Sequence, residues 1–450
     1  MASIVQQPVA QLLGGVSTTG NELVLLESML HLLIPLRNLI HWEHRMRISP
    51  AAAALVTISG LLSHAAQSQT TPEFHFQFTE KPGEYSIGFQ VVEQYDPSRT
   101  FLAAPDAGHN GDKQETPRPL QTLVWFPAKP STHPTMTFGD YARLIKTETS
   151  FNKPIDQGKP QSFVDAFFHG TTDTHSWAIR DAENQPGRFP VVIYAPSVNA
   201  PATENIELCE YLASWGFVVI ASPSMGASSR QMTVDLDGAN AEARDIFFLL
   251  DLAKTLPNAD ISATAVVGYS WGAMGALFAT ARDRRIEALV SLDGSFRYSP
   301  ETVQQASDVH PDQITTPLLV FSRAEEPLET WDKSKDGKSC VCAPSVLNEW
   351  THGDLIHVRM LAMSHIQFSS TYQRSERFRK EALHFSPEDY SLDEGAQSYG
   401  WIAVFTRQFL SAYLKHDPDA QAFLARTALE NGAPRHLFFV SVRKASAKPK

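Results

Sequence analysis

Cysteine is scarce in this chain. Its 450 residues hold three, Cys209, Cys340 and Cys342. Cys340 and Cys342 stand too close together to pair comfortably with each other, so no disulfide framework is evident. No set of Cys and His has the spacing of a zinc site, and no metal or cofactor is expected. Low cysteine use is compatible with the cytoplasm and equally with export. Positive charge is also short. Lys and Arg total 38 against 49 Asp and Glu, a formal net charge of -11. That balance disfavours nucleic acid and anionic membrane surfaces as main partners. Clean apolar runs are missing as well. Leu23 to Ile40 is Leu-rich but interrupted by Glu27, His31, Pro35 and Arg37. A membrane span wants about 20 uninterrupted apolar residues, so no transmembrane segment is expected in the mature protein.

What is present is enough for a large core. Hydrophobic residues make up 43% of the chain and charged residues 19%, as in an ordinary globular protein. The length fits one large α/β domain with insertions. Residues 1–72 read as an N-terminal extension. Within it, Arg45-Met46-Arg47 precedes an apolar run from Ala51 to Leu62 and a small, polar exit through Gln69. A basic start, a short apolar stretch and a small-residue exit read as a secretory signal peptide over about 46–68, with Met46 as the true start. Export, periplasmic or secreted, follows from that reading. The alternative is an amphipathic helix pair packed on a cytoplasmic domain.

Past residue 73 the pattern becomes that of a sheet. Tyr85 to Val92 predicts a strand, and Asp96-Pro97-Ser98-Arg99 a turn after it. Residues 100–119 read as a loop, and Leu120 to Phe126 as a second strand forming an antiparallel edge with the first. Residues 128–187 are an insertion of weak periodicity with scattered aromatics, read either as a lid or pocket wall or as a surface elaboration that packs down. Strands then alternate with helices: Phe189–Ala195, Phe217–Ala221, Ala265–Val267, Ile286–Leu292, Pro317–Ser322 and Leu355–Leu361, with helices over Thr203–Trp215, Gly238–Thr255 and from the elbow to about Ala281. Such alternation predicts a mostly parallel, doubly wound sheet, with functional residues at the carboxyl ends of strands. The domain is expected over 73–430, with a C-terminal tail over 431–450.

One stretch organises this pattern. Ala265-Val266-Val267 runs into Gly268-Tyr269-Ser270-Trp271-Gly272, and a helix-like segment follows. A G-x-S-x-G between strand and helix is the nucleophile elbow of an α/β-hydrolase fold. A serine hydroxyl needs a base, and the base an orienting acid, in the chain order Ser, acid, His. Downstream histidines are His310, His352, His357, His365, His384, His416 and His436. His365 follows the last parallel strand, where the base belongs; His352 and His357 lie before or within that strand. Asp293 ends the strand after the nucleophile helix and is the preferred acid. Glu325 and Glu326, after the next strand, are the alternative. The backbone N–H groups of Val198 and Trp271 are the expected oxyanion donors.

At these residues the chain resembles the platelet-activating-factor acetylhydrolase / dienelactone-hydrolase-like branch of the α/β-hydrolases. The resemblance is carried by Arg118-Pro119-Leu120 through Trp125-Phe126-Pro127, Phe189 to Tyr194, Leu212 to Val219, Gly268 to Gly272 and Leu292-Asp293. It covers about residues 84–425. It implies Asp293 as the acid, His365 as the base and Val198 as first oxyanion donor. Ser270 points away from dienelactone hydrolases proper, which use cysteine. The chain departs from the family at Pro196-Ser197, where His-Gly is usual, and a reshaped oxyanion loop is expected there. These readings together predict a metal-independent serine hydrolase of small carboxylic esters. The alternatives are a catalytically silent binding protein on the same fold and an acyltransferase or peptidase using the same three residues. The oligomeric state is left open.

Overall fold

The computed structural model describes residues 78, 80–103, 114–151, 168, 170–323, 345–374 and 389–446. The proposed signal segment, Glu325, Glu326, His384, Cys340 and Cys342 lie outside the described residues.

The frame is a ten-stranded sheet in the order β10-β9-β8-β7-β6-β4-β5-β2-β1-β3. Its strands are β1 (Ser86–Ala103), β2 (Gln114–Ala128), β3 (Ala178–Arg180), β4 (Phe189–Ala195), β5 (Val218–Ala221), β6 (Ala259–Tyr269), β7 (Ile286–Leu292), β8 (Leu318–Arg323), β9 (Leu355–Met360) and β10 (Phe438–Arg443). From β5 through β4, β6, β7 and β8 to β9 every neighbouring pair is parallel. β2 pairs antiparallel with both β1 and β5. A mostly parallel sheet with an antiparallel N-terminal edge is thus observed, and the chain has an α/β-hydrolase fold. β4 is buried at all seven positions. That explains its uninterrupted apolar sequence, since a central parallel strand is covered on both faces. Pro190 sits at its start, where the register with β6 shifts, so the missing N–H interrupts no ladder interior.

The helices divide between the two faces. One face carries α1 (Phe138–Leu144), α2 (Ile206–Ser214) and α5 (Leu392–Leu414); the other carries α3 (Leu236–Ala253) and α4 (Trp271–Arg282). α2 is buried at all nine of its residues, wedged between the sheet and α5. Each Leu, Ile or Phe buried in these layers contributes about 1.5–3 kcal/mol. α5 begins at a capping box, in which Ser391 accepts from the Glu394 N–H and Glu394 accepts from that of Ser391.

Three expectations need correction. The turn at Asp96–Arg99 is a bulge within β1, which continues to Ala103. The stretch expected as a loop over 100–119 is strand wherever it is described, with Thr100 to Ala103 paired to Pro117 to Gln114. Charge misleads here. Asp96 and Arg99 look like a solvated turn, yet they bond each other at 2.6 Å, and Arg99 reaches Asp245 at 2.7 Å. Arg118, with no exposed surface, also bonds Asp245, at 2.8 and 2.5 Å, and the Met225 and Gly226 carbonyls. A buried charge network closes the bulge against α3 and the loop after β5. Third, the tail expected over 431–450 contains β10, which extends the sheet by pairing with β9. In the insertion over 128–187, several of the described aromatics are buried. Phe138, Tyr141 and Phe168 join the core, and Tyr141 takes a bond from Trp125 Nε1 at 2.9 Å while donating one to Glu210 at 2.7 Å.

Candidate active site

The site lies at the carboxyl ends of β4, β6 and β7. Each of these strands is followed by a residue in the left-handed region: Asn199 at φ 57°, Ser270 at φ 52° and Asp293 at φ 44°. Such backbone costs about 1–3 kcal/mol at a non-glycine residue and persists only where its surroundings enforce it. At Ser270 the enforcement is visible. Its N–H donates to the Leu292 carbonyl at 3.0 Å, and its own carbonyl accepts from Ser295 at 2.9 Å. The flanking glycines are required by contact. A Cβ on Gly268 would lie 2.5 Å from Ala273 Cα, and one on Gly272 would lie 2.1 Å from the Ala195 carbonyl oxygen. The elbow therefore touches the loop after β4.

The structure brings Ser270, His365 and Asp293 together. His365 Nε2 stands 3.0 Å from Ser270 Oγ, and His365 Nδ1 stands 2.5 Å from Asp293 Oδ2. His365 opens a short 3₁₀ turn, His365–Phe368, just beyond β9. Its backbone carbonyl accepts from Tyr269 Oη at 2.8 Å, which ties His365 to the elbow strand. The imidazole is one-third exposed, whereas Asp293 is fully buried. The imidazole is open to solvent while the carboxyl is closed to it.

Asp293 is well supplied with donors. Oδ1 accepts from Tyr298 Oη and from the Arg323 N–H at 3.2 Å, and the Arg323 Nε stands 3.2 Å from Oδ2. Burial by itself raises this carboxyl. The hydrogen bond from His365, the Arg323 charge and the Tyr298 hydroxyl outweigh burial, and the carboxyl falls to about 2. Asp293 is thus ionised near neutrality. An ionised acceptor at Nδ1 fixes the neutral imidazole with its proton on that nitrogen, leaving the Nε2 lone pair facing Ser270.

Val198 is half-buried on the loop after β4, and Trp271 is the first residue of α4. Among the described residues neither backbone N–H has a hydrogen-bond acceptor. Ser197, by contrast, gives its N–H to Glu204 Oε2 at 2.8 Å. The other described histidines are placed elsewhere. His357 is buried in β9 against Ser322 Oγ at 2.8 Å, and burial with the charges of Arg297 and Arg359 lowers it to about 3. His436 pairs with Glu394, and His352 with Thr351. Tyr298 and Arg323 are parts of the site that motif reasoning misses. Their sequence neighbourhoods carry no pattern, although Arg323 closes the strand that runs beside β7. Among the described residues no group of His, Cys, Asp and Glu could hold a metal, and no helix is long and apolar enough to cross a membrane.

No family model and no curated protein matches the chain. Among solved structures it is similar to a ferulic acid esterase from Streptomyces cinnamoneus, with a TM-score of 0.54 and 18% identity over 76% of this chain and 94% of that one. At that identity the likeness is one of fold.

Proposed function

We propose that the chain is a serine hydrolase of carboxylic esters, with Ser270 as nucleophile, His365 as general base and acid, and Asp293 as the orienting carboxylate. The hydrogen-bonded run from Ser270 Oγ through His365 to the ionised Asp293 carries this reading. The likeness to a ferulic acid esterase supports it at the level of reaction class.

The proposed steps use this arrangement as follows. His365 Nε2 takes the Ser270 proton as Oγ attacks the ester carbonyl. Asp293 stabilises the imidazolium that forms. The carbonyl oxygen becomes an oxyanion beside the loop after β4 and the start of α4, where the Val198 and Trp271 N–H groups are the proposed donors. The α4 N-terminus adds a partial positive charge at the same place. Collapse of the intermediate expels the alcohol, which takes its proton from His365. Water, deprotonated by His365, then attacks the acyl-enzyme and releases the acid. The position of Asp293 directly after β7 favours the acetylhydrolase-like branch, and the Pro196-Ser197 departure argues for a different acyl preference within it.

The test is steady-state hydrolysis of a short-chain p-nitrophenyl ester. Ser270→Ala should lower kcat by about 10⁵–10⁶, to background. An unchanged rate would overturn the reading.

A further inference from the structure

We propose that the dipeptide Glu204-Asn205 is the positioning element of the site, holding the oxyanion loop with one hand and the base-bearing segment with the other. The proposal rests on the serine-hydrolase reading above.

The oxyanion side is held by the Glu204 carboxyl group. Oε2 accepts from the Ser197 N–H at 2.8 Å and from Tyr194 Oη at 3.0 Å, and Oε1 accepts from Ser197 Oγ. Pro196 has no N–H and Ser197 has donated its own. Val198 is therefore the first residue of the loop whose N–H can face an oxyanion. A glycine at 197 would supply no hydroxyl for Oε1, so the serine here builds a contact that His-Gly could not. Asn199 then turns the chain back, its side-chain oxygen accepting from the Met232 N–H at 2.7 Å.

The base side is held by the Glu204 carbonyl and the Asn205 side chain. The carbonyl accepts from Ser369 Oγ at 2.8 Å, Thr371 Oγ1 at 2.7 Å and the Thr371 N–H at 3.3 Å. Asn205 Oδ1 accepts from the Ser370 N–H at 2.8 Å and Tyr399 Oη at 2.6 Å, while its Nδ2 donates to the Phe368 carbonyl at 3.2 Å and to Tyr194 Oη at 3.0 Å. Phe368 closes the His365 turn and residues 369–371 follow directly on it. Glu204 is 4% exposed and Asn205 not at all. Buried hydrogen bonds of this density fix relative position, because a polar partner left unpaired inside the fold loses both its bond and its hydration. One rigid connector thus sets where the oxyanion donor stands relative to the base.

The experiment compares Glu204→Ala, Glu204→Gln and Ser197→Ala by ester kinetics and by inhibition with a boronic acid, a tetrahedral mimic. Glu204→Ala should lower kcat by about 10²-fold, the cost of a misplaced oxyanion donor, with KM within about threefold. Affinity for the boronic acid should fall in parallel. Glu204→Gln keeps an acceptor at Oε2 and an amide that the Ser197 hydroxyl can accept from, so it should restore kcat to within about tenfold of wild type. Should Glu204→Ala not fold, Ser197→Ala decides. It removes only the Oγ contact and should lower kcat about fivefold, as loss of one such bond does, with KM unchanged. A rise in KM alone, an unaltered kcat, or a Gln variant as impaired as the Ala variant would overturn the proposal. Wild type and Ser270→Ala run beside them separate the two readings. Turnover lost on Ser270→Ala keeps the hydrolase reading whatever the Glu204 series shows, while turnover indifferent to Ser270 overturns both.

Discussion

Asp293→Asn isolates the electrostatic core of the site. The substitution is nearly isosteric, so its effect comes from exchanging one carboxylate oxygen for an amide NH₂. In the native site Oδ2 faces His365 Nδ1 and the Arg323 Nε, while Oδ1 faces the Tyr298 hydroxyl and the Arg323 N–H. An amide NH₂ at either place meets a donor. If it faces His365, the imidazole must move its proton to Nε2, and the lone pair that takes the serine proton is gone. If it faces Tyr298, the hydroxyl can rotate to accept, but the Arg323 N–H loses Oδ1 as its acceptor. Either way the positive imidazolium of the transition state loses its buried counter-charge. In serine proteases that exchange costs about 10⁴ in kcat, which is about 5.5 kcal/mol of barrier. Arg323 is 38% exposed and can hydrate once its partner is neutral, so the fold should survive. The assay is kcat for a p-nitrophenyl ester, with circular dichroism as the control for folding, run beside Glu325→Gln and Glu326→Gln. A folded Asp293→Asn within tenfold of wild type would rule out this role for the carboxylate. So would a severe loss confined to a glutamine variant.

Two more predictions follow from the same contacts. The Asp293 carboxyl lies at about 2 in the fold against an ordinary 3.8, a difference of about 2 kcal/mol. Because the folded value is the lower one, that stability is complete above pH ~4 and is lost as the pH falls through about 2. Chemical denaturation should therefore show wild type losing about 2 kcal/mol more than Asp293→Asn between pH 5 and pH 2, and equal losses would contradict this. Gly272→Ala places a Cβ 2.1 Å from the Ala195 oxygen and 2.4 Å from that of Pro196, both backbone atoms. It should cost about 1–3 kcal/mol in thermal unfolding and lower kcat by about 10²-fold through the displaced oxyanion loop; a variant as active as wild type would show that the loop can yield.

Much of this site is legible in the sequence because strand ends are. β4 is marked by an unbroken apolar run, while Ser270 follows the short apolar run Ala265–Val267 at the end of β6, and Asp293 follows β7, whose run is broken only by Glu287 and Ser291. His365 was placed by what precedes it, the strand Leu355–Met360. The failures share a cause too. Asp96 and Arg99 read as a turn and Arg118 as the end of a loop, and nothing local says that Asp245, more than a hundred residues away, will pair with both arginines inside the fold. β10 shows the converse. Phe439 and Val442 are exposed on an edge strand, so its alternation carries too little burial to announce a strand. Tyr298, Arg323 and Glu204 work through hydrogen bonds whose partners come together only when β7, β8 and the loop after β4 are aligned in space. The weakly periodic insertion hid Tyr141, whose hydroxyl satisfies a buried Glu210 that burial has pushed up to about 7.

Activation of Ser270 by His365 is tested most directly by labelling with a fluorophosphonate, followed by peptide mass spectrometry. One adduct per chain is expected, on the peptide containing Ser270, abolished in Ser270→Ala and strongly slowed in His365→Ala. An inert wild-type protein, or an adduct on another residue that persists in Ser270→Ala, would contradict that activation.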